Sequence, residues 1–326
     1  MMLTKLTMMM KMTALKIVQN NLLAIRKETV ERALELNITK AKPEDRQAVL
    51  KLSQNFSEDY LEYTVDKWTR QERGGLHLAW HGNLLVGCCS LDFPTSKEAW
   101  LQGMRVHPAY QGKGIAFQLN RFLIELARTK GAEVARLLTA QNNSQALKVA
   151  YKLGFTAYEK SRVIIFRETL KQLSDHKTAN SNAIKLCSTS EKDQALSLVQ
   201  NGPFSRDLKG FFFGPQYNFR RLSKPYLEQA VSENRIYLFE NDNQLRGLVV
   251  TIPEQEEKHL IVSYLDAPET DLSTLKDLFR TWAESGFTHF TISLLEEQHL
   301  ILQPALKELF GNYECEQWLL MENSLV

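Results

Sequence analysis

The sequence predicts an α/β protein: two tandem, related domains, each a central twisted mixed sheet flanked by helices, with a degenerate C-terminal copy. Three observations lead there. Short apolar strands alternate with amphipathic helices along the chain. A length of 326 residues suits about two domains. The two halves also share an internal repeat. Asn83-Leu84-Leu85-Val86-Gly87 matches Asn243-Gln244-Leu245-Arg246-Gly247, and Pro108 matches Pro268, both at an offset of 160. Ala146-Leu147-Lys148 matches Ala305-Leu306-Lys307 at 159.

Folded material begins near Asn37, where NITKA reads as a short strand. Pro43 stands at a first helical turn and EDRQAVLKL continues it as a helix. LHLAWHG and NLLVGCCSLDF read as two strands around the turn His81-Gly82-Asn83. AWLQGMRV, 99 to 106, is a further strand, followed by the turn QGKGIA. Leu119, Phe122, Leu123 and Leu126 then follow helical spacing up to Gly131. AEVARLLTA is a strand, NSQALKVAYKL a helix closed by Gly154, and RVIIF a last strand. The polar tract SDHKTANSNA, 174 to 183, reads as a linker. These signals set an N-terminal extension at 1–36, a first domain at 37–170, a linker at 171–184 and a second domain at 185–326.

Composition narrows the function classes. Forty basic residues face 38 acidic ones, so no global field recruits nucleic acid or a membrane surface. FFFGPQYNFRRL, 211 to 222, interleaves aromatics with arginines, but one short patch in a near-neutral chain reads as a packed loop. No run of about 18 uncharged apolar residues spans a membrane. Cys88, Cys89, Cys187 and Cys315 fit neither a disulfide framework nor a metal pattern, which suits a reducing, cytoplasmic compartment. His77, His81 and His107 likewise lack metal-ligand spacing. Six of the eight methionines fall in the first twelve residues, and no acid precedes Glu28. That segment is either an upstream start or surface extension, or an amphipathic transit peptide.

The turn QGKGIA carries the chemistry. A helix N-terminus leaves about four N–H groups without carbonyl partners, and its dipole favours an anion. Gly112 and Gly114 let backbone approach phosphate oxygens without a Cβ in the way, and Gln111 and Lys113 add side-chain donors. A strand before and an amphipathic helix after supply the required context. The equivalent C-terminal segment, ETDLSTLKDLF, has no glycine and carries acids there, so the second copy has lost this cradle.

MRVHPAYQGKGIA resembles the [QR]xxGx[GA] acetyl-CoA signature of the GCN5-related N-acetyltransferases, with Gln111, Gly114 and Ala116 at its three positions. The resemblance covers about 37 to 168, and 185 to 326 in degenerate form. It implies that Gly112, Lys113, Gly114, Ile115 and Ala116 hold the pyrophosphate of acetyl-CoA, the cosubstrate, with no metal. It implies that Met104, Arg105 and Val106 lie on the strand beside the pantetheine arm and the thioester. NNSQALKVAYKLGF resembles the family's N-x-x-A…GF helix and places Asn143 near the pantetheine. The long, weakly related C-terminal half is also similar to the histidine N-acetyltransferase group.

The implied reaction is direct attack of a neutral amine on the thioester, with small-molecule amines or amino acids as acceptors. The alternatives are a non-catalytic acyl-CoA-binding or regulatory module and a protein or peptide acetyltransferase. Many family members place a tyrosine acid four residues before the GF glycine; Ala150 stands there, and Tyr151 is one residue further. Tyr151 is either that acid on a shifted helix or a packing aromatic. Asp92 and Glu98, at strand ends, are the candidate bases. Arg105 either binds an acceptor carboxylate or sits in a salt bridge.

Overall fold

The structure, a computed structural model, describes residues 34–57, 59–169, 184–202, 211–214, 218–221, 223–241, 244–254, 258–266 and 272–326. The polar tract 174–183 and the methionine-rich N-terminus lie outside these residues. Two compact units are present: Met1–Asp92 with Gly103–Ala127, and Phe93–Gln102 with Arg128–Val326.

The first unit starts with β1 (Asn37–Lys40) and a 3-10 turn at Pro43–Asp45 that leads into α1 (Arg46–Ser53). Pro43 suits the turn's first position, and the Lys42 N–H donates to Asp45 Oδ2 at 2.8 Å. Then come α2 (Leu61–Arg70), β2 (Gly75–His81) and β3 (Leu84–Asp92). Strands β1, β2 and β3 pair antiparallel, and the end of β4 (Glu98–Val106) adjoins β3. Val49, Leu52, Leu61, Val65 and Trp68 on the helices pack on Leu76, Leu78, Leu85 and Cys88 of the sheet. A second 3-10 turn, Pro108–Tyr110, and the loop 111–114 lead to α3 (Ile115–Thr129). Its buried stripe runs Ile115, Leu119, Leu123 and Ala127, the spacing expected of a one-faced helix.

The second unit holds the opening of β4, then β5 (Val134–Ala140), α4 (Ser144–Lys152), β6 (Thr156–Thr169), β7 (Ile184–Leu186) and α5 (Lys192–Asn201). It continues through β8 (Phe211–Gly214), β9 (Asn218–Arg221), α6 (Lys224–Ser232), β10 (Ile236–Asn241), β11 (Gln244–Glu254) and β12 (His259–Asp266). It closes with α7 (Leu272–Glu284), β13 (His289–Leu295), α8 (Glu296–Phe310) and β14 (Glu316–Ser324). Its sheet order is β4-β5-β14-β6-β13-β12-β11-β10-β7. The β4–β5 and β12–β13 pairs are parallel, each joined through a crossover helix, and the other described pairs of this unit are antiparallel.

This order contains a reciprocal strand exchange. The last strand of the C-terminal half, β14, fills the gap between β5 and β6, running from Trp318 opposite Ala140 to Ser324 opposite Val134. The last strand of the N-terminal half, β6, pairs in turn with β13, from Val163 opposite Leu295 to Thr169 opposite His289. Trp100, Val163, Ile165, Leu295 and Leu320 share one core across these strands. Phe279, Trp282, Phe290 and Phe310 form another, with edge-on ring contacts at 5.0–5.4 Å.

The repeat is visible in the geometry. The β2–β3 register shifts at Ala79/Trp80, and the β10–β11 register shifts at Phe239/Glu240. A Cβ on Gly87 would meet the Arg105 carbonyl at 3.1 Å, and one on Gly247 would collide with the Asp266 carbonyl. Both glycines let a neighbouring strand approach closely. Phe211–Gly214 and Asn218–Arg221 correct the expectation of a loop at 211–222, because they pair as an antiparallel hairpin.

Candidate acyl-CoA site

The cradle lies wholly in the first unit. The ring Nδ1 of His107 accepts the Ala109 N–H at 3.2 Å, and Pro108 opens the 3-10 turn. The Gln111 side chain donates to the Val106 carbonyl at 3.4 Å, tying the loop back to β4. Gly112 and Gly114 take φ of +76° and +77°, the left-handed region that glycine enters without a Cβ clash. A Cβ at either position meets nothing within 4 Å, so the space in front of the loop is open. The Gly114 carbonyl accepts the Gln118 N–H at 3.0 Å and begins α3, which places the helix's partnerless first N–H groups behind the exposed loop 111–114. Lys113 Nζ sits 4.5 Å from the Tyr110 ring centroid, which keeps a cation beside the glycines. Ile115 is buried and anchors the helix start, and Ala116 is half-buried.

Strand β4 reaches the cradle through Gly103, Met104, Arg105 and Val106. Gly103 has φ of +68°, and a Cβ there would lie 2.7 Å from the Trp68 ring. Of the two roles the sequence offered Arg105, the structure shows the salt bridge. Its Nε and Nη2 already donate to Asp59 Oδ2 and Oδ1 at 3.0 and 2.8 Å, and Nη1 donates to the Met104 carbonyl at 3.0 Å. The Asp59 side chain is only 4% exposed. Desolvation pulls the Arg105 pKa down, and the Asp59 hydrogen bonds push it back above its usual value. Arg105 also stacks over Tyr60 at 5.1 Å and Phe56 at 5.6 Å. Burial pushes the Tyr60 phenol above its usual value, with Arg105 pulling the other way.

The candidate acid and bases are divided between the two units. Asp92, in the first unit, accepts a hydrogen bond from Gln71 Nε2 at 2.5 Å. Glu98, in the second, is not the open strand-end base expected. It is buried, bonds Arg136 Nη1 at 3.1 Å and accepts from Thr95 at 3.2 Å. Arg136 also pairs with Glu322 at 2.6 Å. On α4, Asn143 is the N-cap, its Oδ1 accepting the Ala146 N–H at 3.1 Å. Ala150 is buried and Tyr151 is 54% exposed. Asp59, Tyr60 and Gly103 carried no sequence signal beyond one: Arg105 in a half-buried strand needs a countercharge.

Residues 46–155, from α1 to the end of α4, match the family model described as the acetyltransferase (GNAT) family. That match spans about a third of the chain and marks these residues as similar to a GNAT acetyltransferase domain. The fold agrees over nearly the whole chain. A GCN5-related N-acetyltransferase from Sphaerobacter thermophilus aligns at 12% identity over 89% of this chain and 96% of that one, with a TM-score of 0.60. A tandem GNAT protein from the clavulanic acid biosynthesis pathway aligns at 13% identity over 90% and 99%, with a TM-score of 0.56. An acetyltransferase-like protein from Pyrococcus horikoshii aligns at 16% identity over 89% of each chain, with a TM-score of 0.54. A search of curated proteins gives no significant match. Among the described residues, no helix is long and apolar enough to cross a membrane.

Proposed function

We propose that this GNAT protein transfers an acetyl group from acetyl-CoA to the primary amine of a small molecule or amino acid. The open left-handed loop Gly112–Gly114 at the head of α3 is the observation that carries the reading. The amides from Gly112 to Ala116, with Gln111 and Lys113, hold the pyrophosphate. Backbone N–H groups of Met104–Val106 face the thioester and stabilise the oxyanion as the amine nitrogen bonds to the carbonyl carbon. The C–S bond then breaks and the thiolate leaves. Residues 37–170 form the catalytic copy and 185–326 the degenerate one, in a reducing compartment suited to four free cysteines.

Proton transfer asks little of the protein if the acceptor is an α-amine. A group of pKa 7.7–8.0 needs about 1 kcal/mol to be neutral at pH 7, against about 4.6 for a lysine side chain. Asp92 and water suffice as proton acceptors for such an amine. Buried Ala150, in the family's acid position, favours one second reading: a module that binds acyl-CoA without turnover.

The test is thiol release from acetyl-CoA across free amino acids (histidine included), polyamines and N-terminal peptides, with Gly114→Glu as control. Turnover with a small amine, lost in Gly114→Glu, supports the enzyme. Acetyl-CoA binding with no acceptor turned over supports the binding module. Turnover of peptides alone replaces the small-amine reading.

A further inference from the structure

The segment Gly103–Arg105 gathers two costly features and meets a third at Asp59. Gly103 holds a left-handed backbone with the Trp68 ring against its α-carbon. Arg105 is a half-buried cation, and Asp59 is a buried anion. A buried ion pair is weak evidence for stability, because desolvation offsets its attraction and an apolar pair of similar volume often does as well. Geometry, not stability, is what a bidentate pair supplies.

That geometry converges on Tyr60. Asp59 Oδ1 also accepts the Leu61 N–H at 3.1 Å, so one carboxylate grips both the first turn of α2 and β4. Tyr60 lies between these two grips in the chain. Its ring meets Trp68 edge-on at 6.0 Å and carries the Arg105 guanidinium on its face. Its hydroxyl lies 3.8 Å from where a Gly103 Cβ would stand. The backbone beside it is the stretch whose amides face the thioester in the proposed reaction.

We propose that Asp59 and Arg105 are a positioning pair that holds Tyr60 on the Gly103 bend of β4 as the acceptor-side wall of the acyl-transfer site. This rests on the acetyltransferase reading above. With its fork occupied by Asp59, Arg105 recognises no acceptor carboxylate; the wall it builds is aromatic and offers one hydroxyl. The acceptor's amine end therefore meets Phe56, Tyr60 and a charge-neutral pair.

The experiment compares the parent with Asp59→Asn, Asp59→Glu, Arg105→Lys and Tyr60→Phe. It reads acetyl-CoA affinity by calorimetry, acceptor kcat and KM, and thermal midpoint. Asp59→Asn keeps an acceptor for the Leu61 N–H, so it is the variant best placed to fold, and Arg105→Lys reaches the same pair from β4. The expected result is a fall in acceptor kcat/KM of up to about 10²-fold for a small misplacement. Acetyl-CoA affinity should stay at the parent value, Asp59→Glu should recover part of the loss, and Tyr60→Phe should lower kcat/KM in the same direction. Folded Asp59→Asn and Arg105→Lys proteins with parental kinetics overturn the positioning pair and leave the acetyltransferase intact. So does a loss of acetyl-CoA affinity that merely tracks the thermal midpoint. A parent protein that transfers no acetyl group overturns both readings.

Discussion

Gly103 and Gly114 hold the same left-handed backbone for different reasons, and substitution should separate them. Gly114→Ala places a methyl in open space and costs about 1–2 kcal/mol for the backbone alone. Its larger effect should be on acetyl-CoA, because under the proposed function that methyl enters the space in front of the loop that the phosphates would occupy. Gly103→Ala adds a clash with Trp68, and overpacking contributes about 1–3 kcal/mol more. Denaturant unfolding of the two variants beside calorimetric titration should show Gly103→Ala as the less stable and Gly114→Ala as the weaker binder. The cysteines also divide by environment. Burial pushes the Cys88 thiol up to about 12 and the Cys187 thiol up to about 11, and Cys89 is buried. Cys315 is exposed. A thiol-specific disulfide reagent should therefore label one thiol quickly in the native protein and four after unfolding. His299 gives the pH dependence a sign. Burial, with Lys307 nearby, holds its pKa below 6.5 in the folded state. Its contribution to stability is present above 6.5 and is lost as pH falls below, because the unfolded chain takes up the proton first. His299→Gln should flatten that slope in unfolding measured from pH 7 down to pH 5.

At the scale of elements, β14 is held by charge as well as by its ladders. Arg136 on β5 joins Glu98 on β4 to Glu322 on β14, with the arginine side chain 4% exposed. Replacing Arg136 with alanine leaves two carboxylates facing each other in a low-dielectric site. The expected cost is about 3–5 kcal/mol, read as a drop in the denaturation midpoint. Glu98→Gln should reduce stability while the pH profile of acetyl transfer stays that of the parent, since this carboxylate is committed to Arg136. A shifted pH profile would return Glu98 to the role of base.

For the molecule as a whole, the strand exchange makes the two halves of the sequence mutually dependent. Residues 1–170 alone would leave β5 and β6 as open edges where β14 belongs, and unpaired edges invite aggregation. Expressed alone, that fragment should be insoluble. Co-expressed with 185–326, it should assemble and recover acetyl-CoA binding, which gel filtration with ligand titration would show. The degenerate copy thus keeps a structural duty after losing its glycine loop.

The strands, the helices and the cradle were legible in the chain because each depends on residues close in sequence. Helical spacing from Leu119 to Leu126 placed α3, and two glycines next to that helix marked the left-handed loop that is the candidate anion site. The repeat at offset 160 was legible for the same reason, and the matching register shifts at Ala79 and Phe239 bear it out. The partner of Arg105 was not legible, since Asp59 lies 46 residues away and nothing local distinguishes it from other surface acids. Nor was the burial of Glu98 against Arg136, or the insertion of β14 between β5 and β6. Strand periodicity says which face is apolar and is silent on which strand comes alongside. That choice belongs to the register and packing of segments far apart in the chain, and it decided which charges are paired and which half completes the other's sheet.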